Sequence, residues 1–218
     1  MRRTLLSVLV ALTIAGGVIA KDTDPYNKVN GSVEVSAGEH VDKVSTVNGS
    51  VRVGDRAVVQ KAQTVNGSVR LGDSASADKL DTVNGAVNLG AKAKVSGDVK
   101  SVNGRVYLDK GADIGGRLYN VNGEIELDNA HVGQGIETVN ADLTVGSNSK
   151  VEGGILYKKP QGNGWRDENR NPKVVIGPHA VVKGDLTFER PVDLFVSDSA
   201  SVGNVQGATA KKFSGSAP

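Results

Sequence analysis

The chain has 218 residues and no cysteine, only 4% of its residues are aromatic, and 28 are glycine. The absence of cysteine excludes disulfide bonds and a lipid-modified cysteine. The formal charge of +2 includes Arg2 and Arg3, and the rest of the chain is neutral. A neutral chain has no long-range field with which to hold nucleic acid or an anionic membrane.

Residues 1–20 are typical of a secretory signal peptide. Arg2 and Arg3 precede an apolar run, LLSVLVALTIAGGVIA, which ends in the small residue Ala20 before the polar sequence KDTD. A charged start, a short apolar core and a small residue at the cleavage point are the parts of such a signal. We expect cleavage after Ala20 and a periplasmic or secreted mature protein without a membrane span. An uncleaved anchor is the alternative.

An Asn-Gly step recurs along the mature chain at nearly constant spacing. TVNGSVRV at 46–53 is followed by TVNGSVRL at 64–71 and TVNGAVNL at 82–89. A fixed period of 18 or 19 residues indicates a solenoid. The asparagines at this position are Asn30, Asn48, Asn66, Asn84, Asn103, Asn122 and Asn140.

Within each repeat, apolar and polar residues alternate, which predicts a strand with one buried face. Val65, Val69 and Leu71 fall on the predicted buried side, whereas Asn66 and Arg70 fall on the other. Asn-Gly also occurs in β-hairpin turns. Here the strand before each Asn-Gly is too short for a hairpin, and identical residues in successive repeats favour parallel, in-register stacking.

A second pattern follows each strand and continues after the last Asn-Gly step, as in GAKAKVSGDV and GPHAVVKGDL. Together the patterns predict an all-β, single-domain parallel β-helix of about nine coils over residues 29–207. Residues 21–28 would lead into it, and residues 208–218 would form a flexible tail. The period does not specify the handedness. One long interval contains an insertion at 157–172.

Stacked coils would bring the seven asparagines into one column at a bend. There each side-chain amide can donate to the next, as in stacked Asn ladders. The following glycine would allow a positive φ or a close approach of the backbone. A row of ligand-binding amides is the alternative. Ala141 replaces the glycine after Asn140, so we expect this corner to change just before the insertion.

The repeats VNGSVRV, VNGSVRL and VNGAVNL resemble the units of a bacterial family of adhesin-like β-helix repeat proteins. The later units VIGPHAVVKGDL and VGSNSKVEGGI are similar to the coils of bactofilins, the polymer-forming β-helical proteins of bacteria. These likenesses cover residues 29 to about 207. They imply a parallel β-helix and, for the bactofilin-like coils, head-to-tail filaments that need no nucleotide. Bactofilins are cytoskeletal, and the predicted export signal is a departure from them. No functional residue carries over.

No motif predicts a catalytic, cofactor-binding or metal-binding site. His40, His131 and His179 belong to different coils and lack metal-ligand spacing, so we expect solvated or corner histidines.

One acidic group invites a comparison with glycosidases. Glu124, Glu126 and Asp142 are expected on one outer face, beside Arg105 and Tyr107. Glycosidases use a pair of carboxyl groups to hydrolyse the glycosidic bond. These coils lack the long loops that usually form the sides of the substrate cleft in such enzymes. The alternative is a solvated charged face with Arg105–Glu124 pairing between coils.

The insertion at 157–172, YKKPQGNGWRDENRNP, contains the only tryptophan. Loops on rigid scaffolds often carry function, and Trp and Arg are enriched at protein interfaces. A partner-binding loop and a plain surface loop are the two interpretations. The candidate binding residues are Tyr157, Lys158, Lys159, Trp165, Arg166 and Arg170.

The ends of a β-helix expose unpaired backbone groups, which invite strand addition unless they are capped. Neither KDTDPYNK nor GATAKKFSGSAP resembles a capping helix. We therefore expect a non-enzymatic structural or adhesive β-helix that associates end to end or binds a cell-envelope component. The alternatives are a carbohydrate-active enzyme that uses the acidic face and a monomeric binding module that uses the Trp165 loop.

Overall fold

The computed structural model describes residues 24–160 and 170–218, which form 26 β-strands and no helix. Each strand pairs in parallel with strands of the neighbouring coils. The chain is a parallel β-helix of ten coils, so the predicted fold class is confirmed. The predicted signal peptide, Trp165 and Arg166 lie outside the described residues.

Sheet 1 contains one strand from each coil, stacked in chain order. These strands follow the Asn-Gly corner wherever that corner is present. They are β2 (Val33–Val35), β4 (Val51–Val53), β6 (Val69–Leu71), β8 (Val87–Leu89), β11 (Val106–Leu108), β14 (Glu124–Leu127), β17 (Asp142–Val145), β20 (Lys173–Ile176), β23 (Asp193–Ser197) and β26 (Ala210–Phe213).

The tenth strand corrects the predicted end of the β-helix. β26 lies in the segment expected to be a flexible tail, yet it pairs with β23 from Ala210 to Phe213. The sequence AKKF lacks the alternation of apolar and polar residues that predicts a strand. Backbone pairing does not require that alternation. The β-helix therefore extends to Phe213 and has ten coils, against the prediction of about nine.

Sheet 2 begins with β1 (Asn27–Asn30) and three nine-residue strands, β3 (His40–Asn48), β5 (Val58–Asn66) and β7 (Ser76–Asn84). From the next coil onward, two short strands replace each long one. They are β9 (Lys94–Val95), β10 (Val99–Asn103), β12 (Asp113–Ile114), β13 (Arg117–Tyr119), β15 (His131–Val132), β16 (Gly135–Thr138), β18 (Lys150–Val151), β19 (Gly154–Tyr157), β21 (Val181–Val182), β22 (Leu186–Phe188), β24 (Ser201–Val202) and β25 (Val205–Gln206).

A single additional residue splits the long strand. Ala77 pairs with Val95 and Leu80 pairs with Val99. Two residues, 78 and 79, separate Ala77 from Leu80 in the earlier coil. Three residues, 96–98, separate Val95 from Val99 in the later coil. The surplus residue has no counterpart in the earlier coil, so the backbone bends there and the strand is interrupted. The same addition lengthens the repeat from 18 to 19 residues.

The core is a narrow column of aliphatic side chains that continues through the coils. Valine and isoleucine suit it because β-branched side chains pack well on a pleated sheet. Burying them supplies the main favourable free energy of folding. The fully buried side chains at the first inward position of sheet 1 are Val33, Val51, Val69, Val87, Val106, Ile125, Leu143, Val174 and Leu194.

The structure also corrects the predicted buried face next to the Asn-Gly corner. Thr64 is only 1% exposed, whereas Val65 is half-buried on the outer side of β5. The hydroxyl of Thr64 donates to the backbone oxygen of Gly49 at 2.8 Å, which satisfies its polar group inside the coil. Thr46 and Thr82 make the same contact in neighbouring coils. The prediction that Val65 faces the core is therefore wrong.

Each of the first eight coils has one residue in the left-handed conformation, at the turn that follows sheet 1. His179 occupies this position with φ 57° and is exposed, in keeping with a corner histidine. The residues of the column are Gly38, Arg56, Ser74, Lys92, Gly111, Asn129, Asn148 and His179.

Candidate functional site

The seven predicted asparagines form one hydrogen-bonded column along a corner of the β-helix. In every pair, Nδ2 of the later residue donates to Oδ1 of the earlier one, at distances of 2.8–3.0 Å. Each interior amide therefore uses its oxygen and one N–H along the axis, as in other Asn ladders. The members are Asn30, Asn48, Asn66, Asn84, Asn103, Asn122 and Asn140. This arrangement supports a structural role for the column.

The glycines beside this ladder are needed because the backbones of successive coils approach closely. A Cβ atom on Gly67 would lie 1.9 Å from the backbone oxygen of Gly49, and one on Gly85 would lie 2.0 Å from that of Gly67. Neither Gly67 nor Gly85 has a positive φ. Of the two predicted reasons for glycine, the close approach therefore applies at these positions.

Arg190 caps the ladder. Its guanidinium donates to Oδ1 of Asn140 and, at 3.2 Å, to the backbone oxygen of Val139. The register from Thr138 through β19 to Phe188 places Arg190 two coils beyond Asn140 in the same column. Sequence reasoning missed Arg190 because the residue type breaks the repeat, although counting from the paired strands would have found it.

The insertion leaves the β-helix at this corner, immediately after Tyr157. The Tyr157 side chain is fully buried, and its hydroxyl donates to the backbone oxygen of Ala141 at 2.8 Å. Its ring lies 5.4 Å from that of Phe188, and burial raises the pKa of its hydroxyl. Tyr157 occupies the inward position that Thr138 holds one coil earlier. The prediction that Tyr157 joins a partner-binding surface is therefore wrong.

The first residues of the insertion continue on the outside of the β-helix. Lys158 Nζ lies 2.5 Å from Glu137 Oε1, so its ammonium group pairs with the preceding coil. Lys159 is exposed, and its backbone N–H donates to Glu189 at 3.3 Å.

The end of the insertion is attached in a similar way. The guanidinium of Arg170 binds the Asp142 carboxylate, which also accepts a hydrogen bond from the backbone N–H of Lys173 at 2.8 Å. Asp142 thus holds the returning chain on the outer face of sheet 1. Of the six candidate binding residues, Lys158, Lys159 and Arg170 lie on the surface.

The structure places the three acidic candidates on the outer side of sheet 1. Glu124 and Asp142 are register partners, and Glu126 lies two residues after Glu124. Arg105 binds the Glu126 carboxylate, and its Nε lies 3.6 Å from Glu124 Oε2, which is the predicted pairing between coils. With Arg170 on Asp142, every carboxylate of the group has a guanidinium partner.

The surroundings of this group differ from those of a glycosidase site. The side chain of Glu124 is 52% exposed, and that of Arg105 is 47% exposed. Glycoside hydrolysis needs one carboxyl group that carries a proton and a second that acts as nucleophile or base. Carboxylates that accept hydrogen bonds from guanidinium groups on an open face are better suited to pairing between coils.

A second charged cluster, on the outer side of sheet 2, was not recognised in the sequence. His131 Nδ1 lies 2.5 Å from Asp113 Oδ1, and its Nε2 lies 3.6 Å from Glu152 Oε1. Glu152 also pairs with Lys150 at 2.5 Å and with Lys183 at 2.6 Å. Hydrogen bonds from Lys150 and Lys183 lower the pKa of Glu152 to about 2. The cluster joins four successive coils, and aligning the coils by register would have revealed it.

Tyr26 packs over the first coil. Its ring contacts the core, its hydroxyl donates to the Glu39 carboxylate, and its backbone oxygen accepts from the N–H of Ser45 at 2.7 Å. The bond between the two side chains raises the pKa of Tyr26 and lowers that of Glu39. The inward side chains Val33 and Val35 are fully buried. Among the described residues, Tyr26 therefore covers part of the first coil.

The last coil is open by comparison. β26 is the final strand of sheet 1 in the described part of the chain, and its Ala210 is half-buried. Lys212 pairs with Val196, whose side chain is buried in the core, yet Lys212 is exposed. A lysine thus occupies an inward position in the last coil. Its position was missed because the segment was assigned to a flexible tail.

Within residues 24–160 and 170–218, no three His, Asp or Glu side chains are grouped so that they could hold a metal ion. The same residues contain no apolar helix of the length that a bilayer crossing requires. Comparisons with models of known protein families, with curated proteins and with solved structures find no match.

Proposed function

We propose that the protein is an exported, non-enzymatic β-helix that serves as a structural or adhesive element in the periplasm or at the surface of a bacterium. The observation that carries the proposal is the uninterrupted stacking of ten coils, which arranges outward side chains in regular columns. Export is supported by the charged and apolar sequence of residues 1–20.

The stiffness of such an element comes from bonding along its axis. Two parallel sheets and the apolar core connect each coil to the next, and the Asn ladder adds a connection along the coils from Asn30 to Asn140. Nine steps of ~4.8 Å give ten coils a length of roughly 43 Å. A partner that lies along this axis can therefore contact several coils at equal intervals.

We assign partner binding to the lateral faces. The end-to-end association expected from the sequence is disfavoured by Lys212, which occupies an inward position in the last coil. On sheet 1, by contrast, Arg52 and Arg70 are register partners and both are exposed. Like charges in adjacent positions of a sheet repel. Glu34 offsets the charge of Arg52 on its other side. Arg70, by contrast, lies between Arg52 and Asn88, so an anionic partner would relieve the repulsion at Arg70. An anionic polymer of the cell envelope has the required chemistry.

Binding of the purified, labelled protein to isolated envelope fractions tests this proposal. We expect saturable binding by a monomer, which weakens when Arg52→Asn and Arg70→Asn are combined. Asparagine is chosen because Asn88 occupies the next position of the same column.

The matched control removes two positive charges elsewhere. Lys92→Ser and Lys94→Ser copy Ser74 and Ser76 of the preceding coil, and Ser74 already adopts the left-handed conformation of Lys92. This control should bind like the original protein. A folded monomer that binds no envelope fraction, or equal losses in both double variants, would contradict the proposal.

The two alternative functions predict different results. A carbohydrate-active enzyme would release sugars from a panel of polysaccharides and lose that activity on Glu126→Gln. A binding module that acts through the insertion would lose envelope binding on Trp165→Ala and keep it when Arg52 and Arg70 are replaced. Either outcome would replace the proposal.

A further inference from the structure

We infer that Lys212 acts as an assembly stop, which prevents a second copy from extending the β-helix at its C-terminal coil. The register of β26 carries this inference. Ala210 and Lys212 pair with Leu194 and Val196, and both of these partners are fully buried in the core. Lys212 is therefore aligned with core positions, whereas Lys211 is aligned with the outward-facing Phe195. The inference does not depend on the proposed function.

The end of the last coil would otherwise favour addition. Val202, Val205, Ala208 and Ala210 are only partly buried, so a further coil would cover apolar surface there. β26 also has one edge without a strand partner in the described part of the chain, and such edges invite pairing.

The charge of Lys212 opposes this addition. A coil stacked on β26 would enclose its ammonium group among apolar side chains, which is unfavourable unless a partner charge is enclosed with it. Inward-pointing charges on edge strands are a known means by which proteins avoid edge-to-edge association.

The N-terminal coil of a second copy supplies no such partner charge in continued register. If its β2 followed β26 in the same register, Val33 would lie on Ala210, Glu34 on Lys211 and Val35 on Lys212. The pair of Glu34 and Lys211 would attract, because opposite charges in adjacent positions of a sheet stabilise it. Lys212 would meet a valine, so Lys212 is the residue of this strand that opposes stacking.

The test compares Lys212→Val with Lys211→Val by light scattering during size-exclusion chromatography over a range of concentrations. Both variants remove one positive charge and add one valine to β26, but only Lys212→Val completes the inward apolar surface. We expect the mass of Lys212→Val to rise with concentration and to fall again on dilution. The original protein and Lys211→Val should remain monomeric.

Circular dichroism establishes that each variant is folded, and reversal on dilution separates stacking from irreversible aggregation. If Lys212→Val does not fold, Lys212→Ala removes the charge with a smaller side chain and should self-associate more weakly. Self-association of the original protein, equal self-association of Lys211→Val, or a folded Lys212 variant that stays monomeric at all concentrations would overturn the inference.

Discussion

Arg190 binds the side-chain oxygen of Asn140 across fifty residues of chain, and the column of asparagines therefore ends on a guanidinium group. The contact lies where the insertion interrupts the repeat. In earlier coils the next asparagine supplies the donor, but the coil after Asn140 has Lys159 in that register and leads into the insertion. Arg190 reaches past this coil and restores the missing hydrogen bond.

Replacing Arg190 by alanine should lower the free energy of unfolding by about 1–3 kcal/mol, because the partly buried oxygens of Asn140 and Val139 lose a charged donor. The shift of the urea midpoint measures the effect. Arg170→Ala is the control, since it removes an exposed ion pair whose contribution is below about 1 kcal/mol. Equal shifts for the two variants would show that Arg190 does not cap the ladder.

Within the ladder, an interior amide should matter more than a terminal one. Asn84→Ala removes a hydrogen bond to Asn66 and another from Asn103, whereas Asn30→Ala removes one ladder bond, from Asn48. At about 0.5–1.5 kcal/mol for each bond, the interior variant should be roughly twice as destabilised. Thermal unfolding of both variants measures this, and a larger loss for Asn30→Ala would argue against an additive ladder.

Close packing beside the ladder should make Gly67 intolerant of any side chain. Gly67→Ala places a Cβ atom 1.9 Å from a backbone oxygen, so coils must separate at a cost of about 3 kcal/mol or more. Gly38→Asn is the control, because nothing lies within 4 Å of that site and Asn129 and Asn148 occupy the same turn position. Chemical denaturation should separate the two variants clearly. A stable Gly67→Ala protein would mean that the coils are not packed this closely.

Acid should weaken the cluster around Glu152. Hydrogen bonds from Lys150 and Lys183 lower its pKa to about 2, below its ordinary value of 4.5. A lowered pKa means that the stabilisation is complete above pH 4.5 and is lost as the pH falls towards 2. The difference in unfolding midpoint between the original protein and Glu152→Gln should therefore shrink over this range. A difference that stays constant from pH 6 to pH 2 would exclude the ion pairs as its cause.

The architecture could be predicted because nearly the same pattern of residues recurs from coil to coil. The spacing of asparagines such as Asn66 and Asn84 predicted parallel stacking and the ladder, and the long interval from Val145 to Ile176 predicted the insertion. The burial of the Thr64 side chain could not be predicted from hydropathy, because it depends on a hydrogen bond to a backbone oxygen of the preceding coil. Arg190 and β26 were missed for a different reason. Arg190 and Lys212 of β26 each occupy a regular position in the register, but their residue types differ from those that the repeat places there.

Small-angle X-ray scattering of the purified, unaltered protein at several concentrations tests most directly whether it acts as a single stiff β-helix. We predict the scattering of an elongated monomer whose mass and maximum dimension do not change with concentration. A maximum dimension that grows with concentration would show that the coil ends associate, and it would contradict both the assembly stop at Lys212 and the assignment of partner binding to the lateral faces.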